Sequence, residues 1–129
     1  MLWNYSPCIA QSADPRWGRT YESYGSDLET ITRLSTAYTK GLIDGGLVAC
    51  AKHYLADGNV EYGTGEMGDT EMLIDRGDAR LTDDEINELL KVYQAQIDAG
   101  VQTIMISHCN VLSSGFGRKK NLRCIMRMC

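Results

Sequence analysis

The sequence holds only two prolines, two histidines and one phenylalanine, and its five cysteines include no C-x-x-C pair. Cys8, Cys50, Cys109, Cys124 and Cys129 are odd in number and widely spread, so neither a zinc knuckle nor a disulfide framework is indicated. They read as core or idle thiols. Positive charge is also scarce: 13 Lys and Arg stand against 17 Asp and Glu, a formal net charge of −4. That balance argues against a nucleic-acid or anionic-membrane partner, since both reward clustered cations. The one basic run, Arg118-Lys119-Lys120, sits near the end. No apolar run approaches the roughly 20 residues of a membrane span. Met1-Leu2-Trp3-Asn4-Tyr5 passes straight into strand-like sequence without a secretory signal, and no compartment is assigned. An EF-hand spacing and a glycine-rich phosphate loop are both missing, and no cofactor or metal is expected.

What is present is ordinary globular composition, 43% hydrophobic and 23% charged over 129 residues, enough for one domain with a real core. Trp3 to Ala10, interrupted by Pro7, reads as a strand and its exit. Ser26-Asp27-Leu28-Glu29 reads as a capping box with Ser26 as the cap. Leu28, Ile31, Leu34, Tyr38 and Leu42 then recur at helical steps until Gly45-Gly46. Leu47 to Ala51 is apolar without alternation, as in a parallel strand covered on both faces, and Lys52-His53 closes it. Thr82-Asp83-Asp84-Glu85 opens a second helix with a stripe at Ile86, Leu89, Leu90, Tyr93 and Ile97, and Val101 to Ile106 supplies a third strand.

Alternating strands and helices imply a parallel α/β fold with right-handed crossovers. The strand-to-helix segments, Ala10 to Gly25 and Tyr54 to Leu81, are long and polar, whereas the helix-to-strand turns are tight. This asymmetry predicts part of a (β/α)8 barrel, with about three parallel strands and two intervening helices. A doubly wound sheet is the other arrangement open to this pattern. Three strands complete neither. The stretch from Ser113 to Cys129 shows no stripe and no caps, and reads as an unpatterned tail.

Candidate site residues cluster after the strands. Asp14-Pro15-Arg16-Trp17-Gly18-Arg19 places two guanidinium groups, an indole and a carboxylate in one turn, a mixture suited to a polar ring-shaped or anionic ligand. Arg16 and Arg19 can both be read as surface arginines pairing with Asp14 or Glu22; that reading suits Arg16 better, and Arg19 is the better-placed contact. Lys52 and His53 end a buried strand, where parallel α/β folds hold ligands. Adjacent strand residues face opposite ways, so the backbone must bend for both to reach one ligand. The acids between Asp57 and Asp78 read mainly as a solvated loop. No partner for a catalytic dyad is identifiable beside His108 and Cys109, and both read as filler.

Taken together, S-P-C-I-A…D-P-R-W-G-R-T-Y-E-S-Y, V-A-C-A-K-H-Y-L-A-D-G, D-R-G-D-A-R-L and A-G-V-Q-T-I-M-I-S resemble the N-terminal barrel of glycoside hydrolase family 3, most nearly its β-glucosidase and exo-1,3/1,4-β-glucanase branch. The resemblance runs in order over about residues 3 to 107 and implies a retaining exo-acting hydrolase of terminal β-D-glucosyl residues, with a β-glucoside or β-glucan as substrate. It implies that Arg19, Lys52 and His53 bind hydroxyls in the −1 subsite, with a cis peptide at Lys52-His53 supplying the bend. It also places Glu66 near the acid/base. A retaining mechanism needs two carboxylates about 5–5.5 Å apart. The family nucleophile lies in a Ser-Asp-Trp-like motif that does not occur in this sequence, and the acid/base lies in a second domain. The expectation is therefore no catalytic residue in this chain, which would be inactive alone. The rest of the barrel and the second domain are the implied partners. Residues 1–112 are expected as the barrel fragment, and 113–129 as a tail outside it, frame-shifted or disordered in origin. The competing expectation is a non-catalytic carbohydrate-binding or interaction remnant. A phosphate-handling barrel using Arg16 and Arg19 is disfavoured.

Overall fold

The computed structural model describes residues 2–64 and 76–113. Strand β1 (Leu2–Asn4) leads through a long loop into helix α1 (Leu28–Asp44), which returns to β2 (Leu47–Tyr54). Strand β3 (Asp78–Leu81), helix α2 (Asp83–Asp98), β4 (Thr103–Ile106) and β5 (Asn110–Ser113) follow. β1, β2 and β4 form a parallel sheet in that order, with Trp3 opposite Val48 and Ala51 opposite Ile104. The two helices join successive strands of this sheet, giving the expected partial-barrel pattern of three parallel strands and two helices.

Two strands were not legible. Asp78–Leu81 was expected as the end of a polar loop, yet it pairs in parallel with Asn110–Ser113, Ala79 opposite Val111. Alternation explains it: Ala79 and Leu81 are buried while Arg80 is exposed. Ser113, the first residue of the expected tail, closes β5. Residues 114–129 lie outside the described residues.

The helix ends follow local chemistry. In α1 the cap is Asp27 and not Ser26: its carboxylate accepts from the Thr30 N–H at 2.8 Å. In α2 the expected box is complete, with Thr82 and Glu85 capping one another. Gly46 (φ +77°) and Gly100 (φ +91°) stop the two helices in left-handed conformations that suit glycine.

The main core packs Ile31 of α1 and Leu89, Val92 and Tyr93 of α2 against Ala51 and Leu55 at β2. The stripe expected on α1 is displaced. Leu34 and Tyr38 are exposed, and the buried residues beside Ile31 are Ser35 and Thr39. Both meet Gln96 of α2: Thr39 Oγ1 donates to Gln96 Oε1 and Gln96 Nε2 donates to Ser35 Oγ, each at 2.6 Å. The helix pair is thus joined by a satisfied polar network, which hydrophobic periodicity cannot report.

Candidate functional site

The loop after β1 is a chain of short turns. Trp17 N–H donates to the Asp14 carbonyl, Thr20 N–H to the Trp17 carbonyl and Glu22 N–H to the Arg19 carbonyl. Arg16 grips the Asp14 carboxylate with Nε at 3.0 Å and Nη2 at 2.6 Å and lies 4.4 Å from the centre of the Tyr62 ring. Its guanidinium holds Asp14 at about 2. Arg16 is thus the surface pair foreseen for it. Trp17 offers no open face to a ligand: it is 2% exposed and packs with Cys8 and Ala10.

Gly58 locks this loop to the one after β2. A Cβ there would stand 2.0 Å from the Gln11 carbonyl oxygen, so only glycine permits the approach. Asn59 Nδ2 donates to Gln11 Oε1 at 2.9 Å across the same seam.

β2 runs on through Lys52 and His53, and its register against β4 shifts between Lys52 and Tyr54. The Lys52-His53 peptide is cis, as the resemblance implied, and so is Tyr54-Leu55. Arg19, Lys52 and His53 converge through two carboxylates. Glu22 receives the Arg19 fork, Nε at 2.8 Å and Nη2 at 2.9 Å, and Lys52 Nζ stands 3.3 Å from Oε2. Asp57 Oδ2 stands 3.1 Å from His53 Nδ1 and 4.0 Å from Arg19 Nη1, while Oδ1 accepts from Ser107 Oγ at 2.7 Å. The loop after β1, the end of β2 and the end of β4 therefore all contribute. This is the carboxyl-end placement typical of barrel sites.

The electrostatics define what the cluster can do. Hydrogen bonding from Arg19, then its charge and the Lys52 ammonium, hold Glu22 at about 2 against its partial burial. Burial alone would raise Asp57, but the contacts to His53 and Ser107, with the Arg19 charge beyond them, hold it below its ordinary value. Both carboxylates are ionised; Glu22 is hydrogen-bonded at both oxygens and Asp57 at Oδ1, with Oδ2 facing His53 and Arg19. A general acid requires the opposite shift. Two cations balanced by two anions, with donors left over on Lys52 and Arg19, suit a neutral polyhydroxylated ligand better than an anion.

Glu22, Asp57 and Ser107 were not picked out from sequence as site residues. Asp57, four residues after His53 at a strand end, was the available signal. Glu66 lies outside the described residues. Burial pushes the Cys109 thiol up to about 11; it donates to the Leu55 carbonyl at 3.0 Å, while His108 is exposed. Among the described residues no group of three His, Cys, Asp or Glu could hold a metal ion, and no helix is long and apolar enough to cross a membrane.

The sequence model of the Glycosyl hydrolase family 3 N terminal domain matches residues 1–118. Beta-D-xylosidase 3 of Arabidopsis thaliana is 42% identical over 60 residues, covering 40% of this chain and 8% of that protein. The Periplasmic beta-glucosidase of Salmonella typhimurium is 27% identical over 113 residues, covering 83% and 13%. The β-glucosidase of Listeria innocua, solved in complex with glucose, superposes with a TM-score of 0.72 at 27% identity, covering 85% of this chain and 15% of that one. The chain thus spans well under a quarter of the length of each. Matched along almost its whole length by the family's N-terminal domain, the chain belongs to glycoside hydrolase family 3.

Proposed function

We propose that Arg19, Lys52 and His53 form one wall of a subsite for a terminal β-D-glucosyl residue, and that the chain serves exo-acting β-glucoside hydrolysis through this half-site. One observation carries the reading: Arg19 and the Lys52-His53 pair, distant in sequence, meet at the carboxyl ends of β1 and β2 around Glu22 and Asp57. The glucose complex of the Listeria innocua β-glucosidase supports it by likeness of fold. Glu66 is assigned to the same wall on the resemblance alone.

The chain by itself binds sugar without cleaving it. Glu22 and Asp57 are buttresses for cations, and neither has the raised pKa of an acid. This favours a non-catalytic carbohydrate-binding role as the second reading for the isolated chain. Purified chain mixed with an aryl β-glucoside is expected to release no aglycone, while glucose raises its thermal midpoint and Arg19→Ala removes that protection. Aglycone release that Arg19→Ala abolishes would overturn the claim that the chain is non-catalytic. Absence of any glucose protection would overturn the subsite itself.

A further inference from the structure

One nitrogen of His53 faces a buried carboxylate. Nδ1 is sealed from solvent and stands 3.1 Å from Asp57 Oδ2, and neither atom has a well-aligned hydrogen-bond partner among the described residues, so each is the only polar group within hydrogen-bonding reach of the other. The His53 side chain as a whole is 10% exposed. Asp57 is itself held from the other side, its Oδ1 accepting the Ser107 hydroxyl at 2.7 Å and Arg19 Nη1 standing 4.0 Å from Oδ2. An ionised carboxylate only accepts, so the proton shared across the Nδ1–Oδ2 contact belongs to the imidazole. This assignment comes from the network and not from an observed hydrogen. Ser107 bonds to the carboxylate and not to the imidazole, so the three groups are not arranged as a nucleophilic triad.

We propose that Asp57 is a positioning residue that keeps the proton of neutral His53 on Nδ1 and thereby presents Nε2 as a hydrogen-bond acceptor for a ligand hydroxyl. The same device orients histidines at metal centres, where a carboxylate on one nitrogen selects the tautomer that exposes the other. Here it would complement Lys52 and Arg19, which only donate. A sugar hydroxyl can give a proton to one neighbour and accept from another, so the wall would engage it in both senses. The functional half rests on the sugar-subsite reading; the tautomer does not.

The chain has two histidines, and His108 is exposed, so it serves as an internal reference. Long-range proton–nitrogen correlation spectra at mildly alkaline pH are expected to show His53 as the Nδ1–H tautomer and His108 as the mixture dominated by Nε2–H. In Asp57→Asn, whose amide can donate as well as accept, His53 is expected to move toward the His108 pattern. Glucose affinity should fall about tenfold, the order of one lost hydrogen bond. An Nε2–H signal for His53 in the unmodified chain overturns the proposal, whatever the variant's fold. Unchanged glucose affinity in a folded Asp57→Asn overturns its functional half. If the unmodified chain binds no glucose while His53 is Nδ1–H, the subsite reading fails and the tautomer assignment stands.

Discussion

Glu22 sits between Arg19 and Lys52, and its engagement explains why two cations can stand at one strand end without repelling one another. Its folded value of about 2 lies below its ordinary 4.5, so the unfolded chain binds the proton more readily. The linked stability is therefore fully present above about pH 4.5 and is lost as pH falls toward 2. Thermal unfolding followed across that window should show a decline that Glu22→Gln flattens. An equally steep decline in the variant would assign the acid sensitivity elsewhere. Single residues were unevenly legible. Arg19, Lys52 and His53 could be chosen because each follows a strand-like run. Asp57 reaches back to His53 only because Ala56 turns the chain in a left-handed conformation, φ 68°, that no pattern in the sequence announces. Trp17 is a core indole, a distinction that the composition of its turn does not make.

At the level of elements, the capped and glycine-stopped helices were legible because their signals are local. The face that each helix buries depends on its neighbour. Apolar spacing pointed to Leu34 and Tyr38 on α1, whereas the neighbour presents Gln96 and selects Ser35 and Thr39 instead. Gln96→Leu should leave two hydroxyls in the helix interface without good partners and destabilise the fold by about 1–3 kcal/mol. Chemical denaturation measures this directly. A neutral or stabilising effect would mean that the hydroxyls turn back onto their own helix, a bond now stretched to 3.4 Å for Ser35. The β3–β5 ladder escaped notice for a related reason. Four residues with only two buried are too short a pattern to separate from loop.

Over the whole molecule, the arrangement is a sector of a barrel. Among the described residues β1 and β4 each pair with β2 on one side only, and β1 exposes Leu2 and Trp3, with Trp3 stacked on Tyr5 at 6.2 Å. The family relatives are several times longer than this chain, and strands of a parallel sheet are ordinarily flanked on both sides. The sector nevertheless carries its own helix pair and core, and it gathers residues from the ends of three strands into one cluster. Barrel strands deliver their carboxyl ends to a common face, which is why a sector can gather residues from several strands into one cluster; the function proposed for that cluster is sugar binding and not the reaction.

Whether that cluster is a single sugar-binding wall is most directly tested by following the imidazole resonances of His53 and His108 as glucose is added to the purified chain. The His53 signal should shift along a saturating curve, His108 should stay fixed, and Arg19→Ala should abolish the shift. A His53 signal unmoved by glucose, or one that drifts in parallel with His108 without saturating, would contradict the account.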